Sequence, residues 1–247
     1  MQFGNAKGRR ISPIALGLAA MIWCLPAFCG TFTVSPVRIN LSFSRPNSIL
    51  QVVNRNDEPA TIQAHVVLWT TDGEKDVYQD TDDVMLNPPI ASLGAKQTQF
   101  IRLGLRWPNE TKQERSYRLV LEEVPQPLKP GFQGIRTLLR LVIPIFVSPR
   151  VTSSPRLSWE AVRTDDAHVK LVAKNLGSAH IQIKSVDLAS ADQPAAHIRN
   201  SQPIYLLPNQ QREWLVNDDA IRLARRIALV ATTDAGALHE TVDVGRP

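Results

Sequence analysis

Cysteine is nearly absent from this chain of 247 residues: the two present, Cys24 and Cys29, both fall within the first thirty positions. Everything after that segment must hold its fold without disulfides. Aromatic residues make up only 6% of the chain and are not interleaved with a basic patch, which argues against a stacking platform for single-stranded nucleic acid. There is no glycine loop of the kind that cradles phosphate and no nucleophile elbow. His65, His168, His180, His197 and His239 stand singly, none beside a ligand at recognised metal spacing. Asp80, Asp82 and Asp83 cluster, but without the glycine and terminal glutamate of a calcium loop they read as a solvated turn. The expectation is therefore a protein that is not an enzyme and has no cofactor and no metal site.

Long apolar runs are equally scarce. The one at Ile14–Leu25 is too short to span a bilayer comfortably, and no second run of spanning length follows. It is preceded by Lys7, Arg9 and Arg10 and followed by Ala27-Phe28-Cys29, the layout of a secretory signal peptide over residues 1–30. A signal anchor or a lipoprotein signal ending at Cys29 is the alternative, although Phe28 is a poor residue before a lipidated cysteine. The chain carries 28 basic and 23 acidic residues, and three of the basic ones but no acidic one lie in this segment. The balance beyond it is 25 against 23, so the apparent basicity gives no reason to propose nucleic acid as a partner.

What is present is a series of short alternating runs broken by turn chemistry. Phe32–Leu41, Ile49–Val53, Thr61–Trp69, Gln97–Leu105 and Tyr117–Val124 read as strands, with turns at Asn54–Pro59 and Thr71-Asp72-Gly73. After a hinge at Pro149–Pro155, similar runs resume at Val169–Ala173, Ile181–Val186, Ile204–Leu207 and Ile227–Ala231. Only Asp218–Arg226 looks helical. Regular strands without helices point to β-sandwiches, and two sets around a proline hinge point to two in tandem. The expected division is 31–148 and 149–247.

Ile135–Pro149, IRTLLRLVIPIFVSP, stands apart. As one strand it would run roughly 45 Å, against a usual length of about five or six residues. Its odd positions, Ile135, Thr137, Leu139, Leu141, Ile143, Ile145 and Val147, form an aliphatic row, while Arg136 and Arg140 alternate with Leu138 and Val142 on the other face. A buried central strand is the ordinary reading of such a row. Pro144 and the two arginines favour an edge, and a long apolar edge is a hazard unless it pairs with another chain.

Several segments together resemble the PapD-like pilus chaperones of the chaperone-usher pathway, in wording closest to the archaic branch. Val34-Ser35-Pro36-Val37-Arg38-Ile39-Asn40-Leu41 is similar to the family's first strand, and Val67-Leu68-Trp69 with Asp72-Gly73 to its third strand and turn. Asn87-Pro88-Pro89-Ile90 followed by Gln97–Leu103, Ser116-Tyr117-Arg118-Leu119 with Glu122–Pro125, and further on Asn175–Ile181 and Leu207–Gln210 complete the likeness, which covers most of the chain beyond residue 30.

This resemblance implies an all-β fold of two immunoglobulin-like sandwiches in a boomerang-like arrangement with a cleft between them, and a location in the periplasm. It implies pilus or fimbrial subunits and an outer-membrane usher as partners, with Ile135, Thr137, Leu139, Leu141 and Ile143 filling the subunit's open groove as a donor strand. Thr137 is the weakest filler. In the better-known members a lysine on this strand joins a first-strand arginine to hold the subunit's C-terminal carboxylate. Here the arginine position falls on Arg38 and the lysine position on Pro144, so Arg118 is the expected second cation. Arg102 is expected to pair with a carboxylate near the domain junction. When free, the protein would hide its strand by self-capping in a homo-oligomer. An exported two-domain adhesin or ligand-binding module is the competing reading.

Overall fold

The computed structural model describes residues 32–73, 75–127, 131, 137–164, 168–191, 197–200 (backbone only) and 203–245. The expected signal peptide, Ile135 and Arg136 lie outside these.

Because a pleated strand sends successive side chains to opposite faces, the alternating runs fold as strands with one face inward. In the first half these are β1 (Phe32–Ser35), β2 (Ile39–Leu41), β3 (Asn47–Asn54), β4 (Ala60–Asp72), β5 (Lys75–Asp80), β6 (Val84–Asn87), β7 (Ile90–Leu93), β8 (Thr98–Leu105), β9 (Arg115–Val124) and β10 (Arg140–Val147). They form two facing sheets, β1-β3-β8-β6 and β2-β10-β9-β4-β5, with β7 added to β4. The first expected run is therefore two strands in different sheets. Leu50, Val52, Ile101 and Leu103 from one sheet and Ile39, Ile62, Leu119, Leu121 and Ile145 from the other close one core. Where the chain turns between β4 and β5, Gly73 takes φ +60°, a conformation that favours glycine.

The second half comprises β11 (Leu157–Arg163), β12 (Val169–Asn175), β13 (Ile181–Ser190), β14 (His197–Asn200), β15 (Ile204–Leu206), β16 (Gln211–Val216), α1 (Asp219–Leu223), β17 (Arg226–Thr233) and β18 (Gly236–Gly245). The helix is shorter than its sequence pattern and starts at Asp218, whose side chain caps the Ile221 N–H. Two strand groups, β14-β13-β17-β18 and β11-β12-β16, meet where β11 runs parallel to β18, and β15 pairs with β13. Their own core is built on Val169, Leu171, Ile183, Leu188, Ile227 and Leu229. The fold is the expected all-β class with two immunoglobulin-like sandwiches.

The strand expected over 135–149 is shorter than its pattern. Its partner β9 ends at Val124 before Pro125, so the ladder runs out at Arg140↔Glu122. Leu139 lies just beyond it, accepting from the Glu123 N–H at 2.9 Å. The even face also differs from a uniformly solvated one. Arg140 and Val142 are exposed, but Pro144 and Phe146 are buried, Phe146 against Leu207 and Tyr205 of the second sandwich.

Each half is pinned by a buried asparagine at the end of a strand. Asn54 Nδ2 donates to the carbonyls of Glu58 and Gly94 at 2.9 and 3.0 Å, and its Oδ1 accepts the Asn56 N–H at 3.0 Å. Asn175 Nδ2 donates to Ala179 O and Leu206 O at 2.8 and 3.0 Å, and its Oδ1 accepts from Gly177 N and Arg156 N at 2.9 and 3.2 Å. The incoming linker lies so close to this loop that a Cβ on Gly177 would sit 2.3 Å from Ser154 O, which only glycine permits. Asn175→Ala strands several buried backbone groups at once. We expect it to destabilise the second sandwich by about 2–4 kcal/mol, measured by urea unfolding.

Candidate functional site

The geometry of the site begins with strand register. Ile39 pairs in parallel with Ile145, which sets Arg38 one step earlier, level with Pro144, while Pro144 pairs directly with Arg118 on β9. Ile39, Ile145, Tyr117 and Leu119 all face the first core. Their neighbours Arg38, Pro144 and Arg118 therefore stand abreast on the opposite face, with roughly 10 Å between the outer two Cα atoms at normal strand spacing. Proline thus separates two guanidinium-bearing strands.

Between Arg140 and Pro144 the side of β10 facing β2 has no ladder partner among the described residues, because β2 pairs only with Ile145–Val147. Along the inward row Ile145 and Val147 are fully buried, Leu141 packs only partly against the core, Leu139 is half-buried and Thr137 exposed. The row thus leaves its own core near Leu141. Ile143 is a correction: at 4% exposure it belongs to the first sandwich's core and cannot fill another protein's groove. Leu138 and Val142 are exposed on the other face.

Arg118 is held rather than loose. Its guanidinium carbon sits 3.5 Å from the centre of the Trp69 ring and 5.8 Å from that of Tyr205, a cation–π clamp between the two sandwiches. Trp69 Nε1 and the Tyr78 hydroxyl donate to the two oxygens of Asp76 at 2.9 and 3.0 Å, fixing the neighbouring wall. Burial draws the Arg118 pKa below its ordinary value, opposed by nearby Tyr78 and Asp76. Its Nε–H is buried and has no acceptor. Trp69, Asp76, Arg118, Tyr205 and Arg212 line a cleft of about 310 Å³, so an oriented cation stands in the wall of a space that can admit an anion.

Arg38 is also engaged. Its NH1 donates to Asp234 Oδ2 at 2.7 Å, across the junction, leaving most of its donors uncommitted. Asp234 Oδ1 accepts the Gln182 N–H at 2.9 Å. Beside it, His180 Nδ1 lies 2.6 Å from Glu114 Oε1, its backbone N–H reaches the same oxygen at 3.1 Å, and Nε2 is 4.0 Å from Asp234 Oδ2. The imidazole stacks on Phe146 with centroids 3.4 Å apart and planes 5° from parallel. Trp69, Phe146, Leu207 and Tyr205 complete the apolar part of the junction.

The structure thus brings Arg38 and Arg118 to one face and leaves Leu139 and Leu141 at the point where the row departs, while Ile135 lies outside the described residues. Arg102, expected to pair at the junction, is instead exposed on the outer face of β8 opposite Asn87. Sequence reasoning missed His180, Glu114, Asp234 and Tyr205. Glu114 and His180 are 66 residues apart, and Arg38 and Asp234 are 196 apart, so no local spacing announces them.

Two sandwiches share a polar junction, and an apolar row runs off one of them. Residues 31–153 match the family described as pili and flagellar-assembly chaperones, PapD N-terminal domain. The chain belongs to this family of PapD-like pilus chaperones. It is 25% identical to the chaperone protein FimB/FhaD of Bordetella pertussis over 164 residues, 62% of this chain and 65% of that one, just under two thirds of the relative's length. It is 23% identical to the probable fimbrial chaperone YehC of Escherichia coli over 74% of this chain and 76% of that one. Among solved structures it resembles the CsuC–CsuE chaperone–tip adhesion subunit complex from archaic Csu pili of Acinetobacter baumannii, with TM-score 0.63, 20% identity, and 88% and 100% of the two chains covered. A Salmonella enterica SafA pilin–SafB chaperone complex gives TM-score 0.58 at 16% identity over 86% and 96%.

Phe146 touches the second sandwich and not the first core. Phe146→Ala is expected to weaken docking of the halves by about 3 kcal/mol while each keeps its own core. Limited proteolysis should show faster cleavage in 148–156, with unfolding midpoints of the separate cores little changed.

Proposed function

We propose that this protein is a periplasmic chaperone that captures pilus or fimbrial subunits by lending them strand β10 and its N-terminal extension, and passes them to an outer-membrane usher. Residues 1–30 serve as its secretory signal, and the two sandwiches divide near residue 148. The observation that carries this reading is the inward row of β10, which leaves its own core at Leu141 on an edge without a ladder partner. An incoming incomplete sandwich gains main-chain hydrogen bonds from the open edge and apolar filling from Ile135, Thr137, Leu139 and Leu141, the general mode of β-strand addition of which chaperone–pilin pairing is a known instance. Each large aliphatic side chain buried in this way contributes roughly 1.5–3 kcal/mol.

Arg38 and Arg118 supply the carboxylate anchor. They flank Pro144 on one face, so a terminal carboxylate between them would meet two cations where lysine is missing, and their guanidinium groups supply charge-assisted donors. Without a subunit, the exposed edge favours self-capping between copies.

Co-expression with a pilus subunit from the same genome tests both parts. Leu139→Asp is expected to abolish recovery of the one-to-one complex while the chaperone remains soluble, and Val142→Asp, on the opposite face, to leave recovery nearly intact. Equal effects would remove the donor-strand assignment. Arg118→Gln should weaken capture by about tenfold or more, and Arg115→Gln far less, as read by complex yield and dissociation rate. An Arg118 variant that captures as well as the parent takes this residue out of the anchor.

A further inference from the structure

We propose that the protein regulates its own carboxylate anchor: Asp234 occupies Arg38, and a proton on His180 draws Asp234 away and frees Arg38 for the subunit. This regulation rests on the reading of Arg38 as an anchor. The atoms that carry it are on one side of the junction. Asp234 Oδ2 is 2.7 Å from Arg38 NH1 and 4.0 Å from His180 Nε2, so one oxygen faces both groups. The other oxygen of Asp234 is tied to the Gln182 N–H, which lets the carboxylate swing about that bond rather than drift off.

The tautomer of His180 follows from its partners. Glu114, ionised, can only accept, so at 2.6 Å the imidazole Nδ1 is the donor. In the neutral ring Nε2 then carries a lone pair turned toward Asp234, an unfavourable pairing that leaves the carboxylate to Arg38. A proton arriving on Nε2 converts that nitrogen into a second charged donor for Oδ2. Stacking on Phe146 holds the ring plane, so the response passes to the carboxylate and not to rotation of the imidazole. The groups facing His180 are Glu114 from the segment before β9, Asp234 from the β17–β18 turn, Tyr205 from β15 and, through Asp234, Arg38 from the β1–β2 link. Of these only an imidazole ordinarily changes charge between pH 5 and 8. Neutral His180 leaves one arginine facing two carboxylates, and protonated His180 balances them. An added anion is therefore favoured on the acidic side, and by linkage its binding promotes proton uptake.

The test uses the purified protein without any subunit, labelled on arginine and histidine nitrogens and carbons and followed by NMR from pH 5 to 8. Corrected for the base-catalysed intrinsic rate, the protection of the Arg38 Nη hydrogens should fall as His180 takes its proton, with one shared midpoint. His180→Gln should flatten the Arg38 response. With acetate as the probe, half-saturation of the Arg38 shift should fall by about threefold or more from pH 7.5 to 5.5, the scale of a part-exposed ion pair. The proposal is overturned by an Arg38 signal that ignores the His180 midpoint, by a response that survives in His180→Gln, or by acetate acting equally or not at all at both pH values. Because no subunit takes part, loss of this switch leaves strand donation standing, whereas the Leu139→Asp result decides strand donation independently.

Discussion

From Ile143 to Val147 strand β10 is buried on both faces, and the rest of the molecule is arranged around that constraint. Ile143, Ile145 and Val147 close the first core, while Phe146 forms the floor on which the second sandwich rests and Pro144 is buried on the same face. Four residues earlier the same strand is half-covered on one face and wet on the other. A strand clamped at one end by two domains and released at the other has its direction fixed without being used up. The apolar row that leaves the first core at Leu141 therefore points outward from a rigid base.

The junction has a different character from either core. Its apolar part is a small aromatic group around Trp69, Phe146 and Tyr205, and its polar part is a chain of contacts from Arg38 through Asp234 and His180 to Glu114. Burial of charged groups is tolerable here because each has an opposing partner or a main-chain donor. Arg118 belongs to the aromatic part, with Trp69 taking the place of a counter-ion beneath its guanidinium. The contrast explains how two cations on the same face differ in character: one is held by charge and can be traded, the other by an aromatic surface and cannot.

Much of this was legible in the sequence. The all-β class, the two tandem sandwiches, the apolar row and the outward face of Arg118 follow from period-two alternation and turn chemistry, which act over a few residues, while Arg38 was singled out by the family resemblance. Ile143 was misplaced because periodicity reports the face a residue takes and not where along a strand one hydrophobic core ends. The strand's own length was overread for a related reason: pattern continues through Leu139, but hydrogen bonding needs a neighbour, and β9 stops at Pro125. His180 looked inert as an isolated histidine. Its partners reach it only through folding, from positions far away in the chain, so no reading of neighbours could have found it.

The linker gives the Arg38–Asp234 pair a meaning beyond its distance. Ser148 N–H is tied to Leu41 O in the first sandwich, and Ser154 is tied to Ser178 in the second, so the stretch between these pins is the covalent tether of the domains. Two charges joined by so short a connection meet at a high effective concentration, and a carboxylate arriving from solution competes with an internal rival that never diffuses away. A ligand that brings a second point of attachment has the advantage over a free anion in that contest. Under the proposed anchoring role, free anions and stray chain ends bind weakly, and firm occupancy of the site requires that a strand dock as well.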